Sequence, residues 1–258
     1  GLYVSGQIAG TSGYEEAAAL GLMAGINASL AILGKEPLIL KRDEAYIGIM
    51  IDDIVTKGTK EPYRLLSSRS EFRLITRSDN ADSRLAKFGY EVGLNSKERF
   101  DRLNQRTEKV VMAINELSSH QVASNNVLRD YIKSLGFPEP NGNETLKQTL
   151  RRQGVKYDGI RKCVSFLPEL DEEEQFKCET EVKYEGYILA ERKEAKRRED
   201  YQELELPEDL DYKNMQGLSL EAREKLTLYR PKTLGEAMRI TNVHPSDIDV
   251  LSFHVRHR

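Results

Sequence analysis

The sequence is short of several things, and each shortage closes off a class of protein. No apolar run reaches the ~18 residues needed to cross a bilayer, and no basic-then-apolar signal segment opens the chain. A soluble, cytoplasmic protein that binds no membrane is therefore expected. Cysteine occurs twice in 258 residues, at Cys163 and Cys178, too far apart for a C-x-x-C pair and with no histidine cluster beside them. Metal and redox readings have little support, and two reduced structural thiols are expected. A strong charge of one sign is also missing, since the net charge is −3 with 31% charged residues. The first residue is Gly rather than Met, and the strand-like run Leu2-Tyr3-Val4 has no partner nearby in sequence. Together these set the expectation of a piece of a longer protein.

What is present begins with glycine. "GLYVSGQIAGTSGYEE" reads as a short strand, a glycine loop and a helix from Tyr14 to about Leu33, with Glu15 and Glu16 in the first turn where the macrodipole favours them. That arrangement offers free backbone N–H groups and a positive helix end to an anionic or polar ligand. The spacing of Gly6, Gly10 and Gly13 matches neither the G-x-G-x-x-G fingerprint nor the Walker A loop, so an ordinary strand-to-helix turn has the same signature. Gly21 and Gly25, four apart, leave a smooth stripe for another backbone to pack against.

The small net charge hides a basic stretch. Lys57, Lys60, Arg64, Arg69, Arg73 and Arg77 face only Glu61 and Glu71 over the same span. Ser68-Arg69-Ser70-Glu71 has the form of a capping box, so a helix is expected from Arg69, with Arg69, Arg73 and Arg77 on one face and Phe72 and Ile75 toward a core. Such a row can follow a phosphate backbone without reading sequence. A solvated or internally salt-bridged helix has the same pattern.

The remainder reads as almost entirely helical. Asn95-x-x-Glu98 signals an N-terminus, and Phe100, Leu103, Thr107, Val110, Ile114 and Leu117 follow at intervals of three and four, a seam for packing against another helix. Pro138, Pro140 and Asn141-Gly142-Asn143 break the pattern. A basic helix with Lys147, Arg151 and Arg152 ends near Gly154, and an acidic stretch precedes a long charged helix whose charges read chiefly as a solvated face. Ser219 caps a helix ended by Pro231, Thr233-x-x-Glu236 is a capping box, and Pro245 starts the last helix. The turn around Thr241-Asn242-Val243 is that of a helix-turn-helix or of a plain helical hairpin, and nothing there argues for reading DNA.

Five segments in order, "GQIAGTSGYEEAAALGLMAGINA", "AYIGIMIDDIVTKGTKEPYRLLSSRSEFRLITRSDNADSRL", "VKYEGYI", "LDYKNMQGLSLEAREKL" and "RPKTLGEAMRITNVHPSDIDVL", carry a resemblance to one family. The chain resembles the C-terminal portion of the FAD-dependent tRNA uridine 5-carboxymethylaminomethyl modification enzymes, the glucose-inhibited division protein A family. The resemblance implies a mainly α fold, with C-terminal helical domains preceded by a strand-loop-helix remnant of an α/β FAD-binding domain. Residues 1–40 would be that remnant, 41–160 a helical region with the basic patch, and 161–258 a C-terminal helical domain.

It also implies a flavoenzyme that, with a GTPase partner, adds an aminomethyl-type group to C5 of the tRNA wobble uridine, using FAD and NADH for redox and a methylene-tetrahydrofolate as one-carbon donor. Carried over by position, Gln7 would contact FAD, Gly6, Ile8, Gly10, Thr11 and Gly13 would form the loop, and Tyr14 would face the flavin end. Lys57, Lys60, Arg64, Arg69, Arg73 and Arg77 become candidate tRNA phosphate contacts. The helices from about Lys183 resemble the part that binds tRNA and the GTPase, and the parent enzyme is expected to be a homodimer. No catalytic residue is carried over, and the fragment alone would be inactive and unable to hold FAD. A non-catalytic helical interaction or dimerisation module is the alternative.

Overall fold

The computed structural model describes residues 1–58, 61–122, 125–140 and 143–257. Their α-helices, in order, are α1 (Tyr14–Ile32), α2 (Tyr46–Lys57), α3 (Ala81–Glu91), α4 (Lys97–Ser119), α5 (Asn126–Ser134), α6 (Leu146–Leu150), α7 (Tyr157–Arg161), α8 (Glu172–Gln202), α9 (Leu220–Tyr229), α10 (Leu234–Arg239) and α11 (Pro245–Arg256). The only β pairings among the described residues are isolated bridges. The fold is mainly α, as the sequence predicts. Leu2, Tyr3 and Val4 are extended and exposed, with no strand partner among the described residues.

Helix α1 buries the stripe Glu16, Met23 and Leu30, seven residues apart, while Leu22 and Ile32 on other faces stay exposed. The side chain of Asn27 pairs in both directions with the backbone of Leu38 (3.0 and 2.7 Å) and so folds the chain back along α1. Of the expected stripe, a Cβ on Gly21 would meet only the Ser5 hydroxyl at 3.8 Å and one on Gly25 no described atom within 4 Å, so no backbone packs against it among the described residues.

Two apolar cores follow. The first gathers Val110, Ala113 and Leu117 of α4, Leu128 and Ile132 of α5, Leu146 and Leu150 of α6, Tyr157 and Ile160 of α7, and Cys178 and Val182 of α8. In the predicted seam, Val110 and Leu117 are buried and Thr107 is exposed; the N-cap is Ser96, one residue beyond the Asn95 expected, with its side chain accepting from the Arg99 amide. The expected basic helix is the five-residue α6, and Lys147 and Arg151 both turn onto Glu185 of α8. The second core gathers Leu206, Leu210, Tyr212 and Met215 with Ala222 and Leu226 of α9, Leu234 and Ala237 of α10, and Ile248 and Leu251 of α11. Its helix starts lie where the sequence places them: Ser219 and Thr233 cap α9 and α10, and Pro245 opens α11. Buried Asp247 ties two of these starts together, accepting from the Ser219 and His244 amides (2.8 and 3.0 Å). These bonds hold its carboxyl below its ordinary value against the opposing push of burial.

Helix α8 runs past both cores. Its 31 residues span roughly 46 Å. Its charges are not chiefly a solvated face: Lys177 pairs with Asp82, Glu181 with Arg77, Arg198 with Glu71 and Lys41 with Glu199. Each pair reaches back to residues 41–82, whose buried apolar residues Ala45, Ile49, Met50, Tyr63 and Phe72 belong to neither core.

Leu226 is wholly buried and Leu228 is 71% exposed on the same helix. In urea unfolding, Leu226→Ala lowers stability by about 2–5 kcal/mol and Leu228→Ala by less than about 0.5 kcal/mol; equal losses would place the second core elsewhere.

Candidate functional site

The glycine loop and the arginine segment, far apart in sequence, form one unit. Gly6–Ala9 makes a single 3-10 turn, closed by Gly10 at φ 92°, a left-handed conformation that favours glycine. The chain then runs extended through Thr11 and Ser12 into α1. Along this stretch lies Tyr63: its amide donates to Gly10 O (2.7 Å) and its carbonyl accepts from the Ser12 amide (3.3 Å). Two residues on, the Leu65 amide donates to Glu16 Oε1 (2.9 Å). Residues 63–65 are thus stapled to the loop at one end and to the first turn of α1 at the other.

At Gly13 the missing side chain leaves room for a neighbour. A Cβ at this position would lie 1.6 Å from Glu16 Oε2, so the carboxylate folds back over the helix start only because the side chain is missing. The Leu65 amide is the main cause holding the Glu16 carboxyl below its ordinary value of 4.5, with burial opposing and Arg64 assisting. Around this junction Gln7 and Ile8 are exposed, Tyr14 is 93% exposed, and the buried Thr11 hydroxyl has no hydrogen-bond partner.

The arginines do not form a helical row. Only Ser67–Arg69 is helical, a 3-10 turn, and residues 70–77 are a series of turns. The capping box fails because its parts are used elsewhere. Glu71 is taken by Arg42 and Arg198, and the Leu74 and Ile75 amides both donate to Glu191 of α8 (2.9 and 3.0 Å). Phe72 is nonetheless buried, beneath Arg198.

Each arginine therefore has its own surroundings. Arg64 is 61% exposed, with Nε 3.6 Å from Glu16. Arg69 is 40% exposed; its Nε donates to Arg64 O (2.7 Å) and its guanidinium lies 4.4 Å over the Tyr63 ring. Arg73 is exposed, and its Nε donates to Ser70 O (3.2 Å). Arg77 is only 12% exposed and is consumed by Asp79 (3.0 Å) and Glu181 (2.6 Å), which makes it a tie between this segment and α8. Lys60 lies outside the described residues, as does the side chain of Lys57.

Sequence reasoning missed the centre of the site. Arg42, 18% exposed, donates to Asp52 (3.0 Å), Asp53 (2.8 Å) and both oxygens of Glu71 (3.0 and 2.9 Å). Burial opposes its charge, and the hydrogen bonds it donates to Glu71 and Asp53 outweigh that, so the guanidinium stays firmly protonated. Asp53 also accepts from the Tyr63 hydroxyl (2.9 Å), whose pKa is raised first by burial and then by that carboxylate. No local signal marks this cluster, since its members lie 10 to 29 residues apart.

Among the described residues no group of His, Cys, Asp and Glu has the arrangement to hold a metal ion, and no helix is long and apolar enough to cross a membrane. Both thiols are free, and burial pushes Cys178 up to about 12, which leaves it an unreactive core residue.

Family profiles match most of the chain: "tRNA modifying enzyme MnmG/GidA C-terminal helical domain" over residues 97–192, "tRNA modifying enzyme MnmG/GidA C-terminal helical bundle" over 192–258, and "Glucose inhibited division protein A" over 1–36. The chain belongs to the MnmG/GidA family. It is 42% identical over its whole length to the tRNA uridine 5-carboxymethylaminomethyl modification enzyme MnmG of Clostridium kluyveri, covering 41% of that protein. The enzyme of the same name from Geobacillus kaustophilus is 44% identical, with 97% of this chain and 40% of that one matched. Aquifex aeolicus GidA, in a second crystal form, superposes with a TM-score of 0.73 at 37% identity over 97% of this chain and 39% of the other. The chain thus spans about two fifths of the length of these relatives.

The Glu16 carboxylate carries a pH dependence. Its pKa is lowered in the folded chain, so its contribution is present above the ordinary value of 4.5 and is lost as pH falls through the lowered one. Between about pH 5 and pH 3 the urea midpoint of the wild-type chain should fall further than that of Glu16→Gln; equal falls would mean that the Leu65 amide does not hold this carboxylate.

Proposed function

We propose that this chain is the cofactor-closing and tRNA-docking part of a flavoenzyme that, with a GTPase partner, modifies C5 of the wobble uridine of tRNA. The observation that carries the reading is the pairing of Tyr63 with Gly10 and Ser12, which joins the segment of the exposed arginines to a glycine loop, with Arg69 over the Tyr63 ring. The names of the relatives support the substrate class.

The loop suits a flavin cofactor. Backbone without side chains at Gly6 and Gly10 permits close approach of a flat ring, Gln7 and Ile8 are exposed beside it, and the Thr11 hydroxyl has a bond still to make. Gly6, Gln7, Ile8, Gly10, Thr11, Gly13 and Tyr14 are the residues that would line FAD. The start of α1 is already occupied by the Glu16 carboxylate, so the group received there is neutral and hydrogen-bonding, such as the edge of the flavin ring, rather than a phosphate. When bound, FAD supplies the redox chemistry, with NADH as its reductant. The chain's own residues shape and close the pocket and offer no catalytic acid, base or nucleophile in it.

Arg64, Arg69 and Arg73 serve as phosphate contacts, by charge and bidentate hydrogen bonds that position without reading sequence. Arg77 is dropped from this set because its carboxylate partners already satisfy it. The second core, with Leu228, Tyr229, Met238 and Phe253 exposed, supplies the platform for the GTPase partner. A homodimer acting in the cytoplasm completes the reading.

The test is tRNA binding by the full-length enzyme over a range of salt. Replacing Arg64, Arg69 and Arg73 with Ala should flatten the slope of log affinity against log salt by about 0.7–0.9 per contact. Arg77→Ala should leave that slope in place and lower stability instead. An unchanged slope in the triple variant would contradict the reading.

A further inference from the structure

Tyr63 touches both halves of the site. Its backbone amide and carbonyl hold Gly10 and Ser12 of the loop. Its ring lies beneath the Arg69 guanidinium at 4.4 Å, a distance at which a flat cation over an aromatic face is attracted. Its hydroxyl donates to Asp53, which is fixed in turn by Arg42. The backbone of Tyr63 is thus tied to the glycine loop and its ring to Asp53 and Arg69, so the residue joins the loop to the charge cluster. Arg69 is further constrained by its bond to Arg64 O, which places a second exposed cation on the same support.

We propose that Tyr63 is a positioning residue that couples the two binding events: seating the flavin on the glycine loop fixes the Tyr63 ring, and the ring sets Arg69 and Arg64 in the posture that receives tRNA phosphates. The inference rests on the proposed function and adds to it an energetic link between its two ligands. A ligand that orders residues 6–13 pays for ordering Tyr63 as well, so a second ligand that needs the ring in place binds more tightly to the loaded protein. Coupling of this kind is reciprocal, so tRNA tightens flavin by the same factor.

The experiment measures tRNA dissociation constants for the full-length enzyme, flavin-loaded and flavin-stripped, at one salt concentration. The wild-type ratio of stripped to loaded constants should be about five or more. Tyr63→Leu removes the ring and the hydroxyl but keeps the backbone pairing, and should bring the ratio to about one while flavin still binds. Tyr63→Phe restores the ring and should recover most of the ratio, which a purely structural role would not require. Arg69→Lys keeps the charge but loses the flat stack, so its ratio should also fall even if Tyr63→Leu does not fold. Flavin binding with equal tRNA affinities in the wild type, or a Tyr63→Leu or Arg69→Lys ratio equal to the wild-type one, overturns the inference alone. A full-length protein that binds no flavin overturns the proposed function and the inference with it.

Discussion

A half-buried guanidinium surrounded by carboxylates organises this site. Arg42 binds Asp52, Asp53 and Glu71, and through them it reaches the Tyr63 hydroxyl and Arg198 of α8. Removing one partner of such a cluster leaves the others' charges uncompensated, most severely for buried Asp53. The members are therefore mutually dependent, and the turns of residues 63–71 are held by that dependence rather than by helix or sheet hydrogen bonds. The loop that would meet a cofactor and the arginines that would meet RNA inherit their geometry from the same few charges.

Helix α8 extends this logic along the molecule. It buries Cys178 and Val182 in the first core and brings Tyr201 to the second, while its charged side chains hold residues 41–82 against its flank. Glu191 substitutes for a turn of helix by capping two amides of the arginine segment. An exposed ion pair contributes about 0–1 kcal/mol, so no single tie is decisive. Spread along one rigid helix, the ties fix register more than they add stability, which suits a segment that must present cations in a set order.

The parts legible in the sequence were those whose causes are local. Helix α1 announces itself through its helix formers, its first-turn acids and the glycine beyond its end, and α9 to α11 through Ser219, Thr233 and Pro245. The arginine row does not form because Ser68-x-x-Glu71 promises a cap whose glutamate is claimed by Arg42 and Arg198. The spacing of Arg69, Arg73 and Arg77 then lost its meaning as a face. Glu16 was read as a macrodipole residue, which it is, but its bond to Leu65 across 49 residues has no local trace. The contact that joins the loop to the arginine segment, at Tyr63, is supplied by the fold.

Amide hydrogen exchange on the full-length enzyme tests this account most directly, comparing wild type with Arg42→Met. If the buried charge cluster holds the loop and the arginine segment as one unit, the amides of Ser12, Tyr63 and Leu65 lose protection together in the variant, while those of α4 and α9 keep theirs. Unchanged protection at Ser12 and Tyr63 in a folded Arg42→Met protein would contradict it, and would mean that the loop is held by the backbone pairing alone.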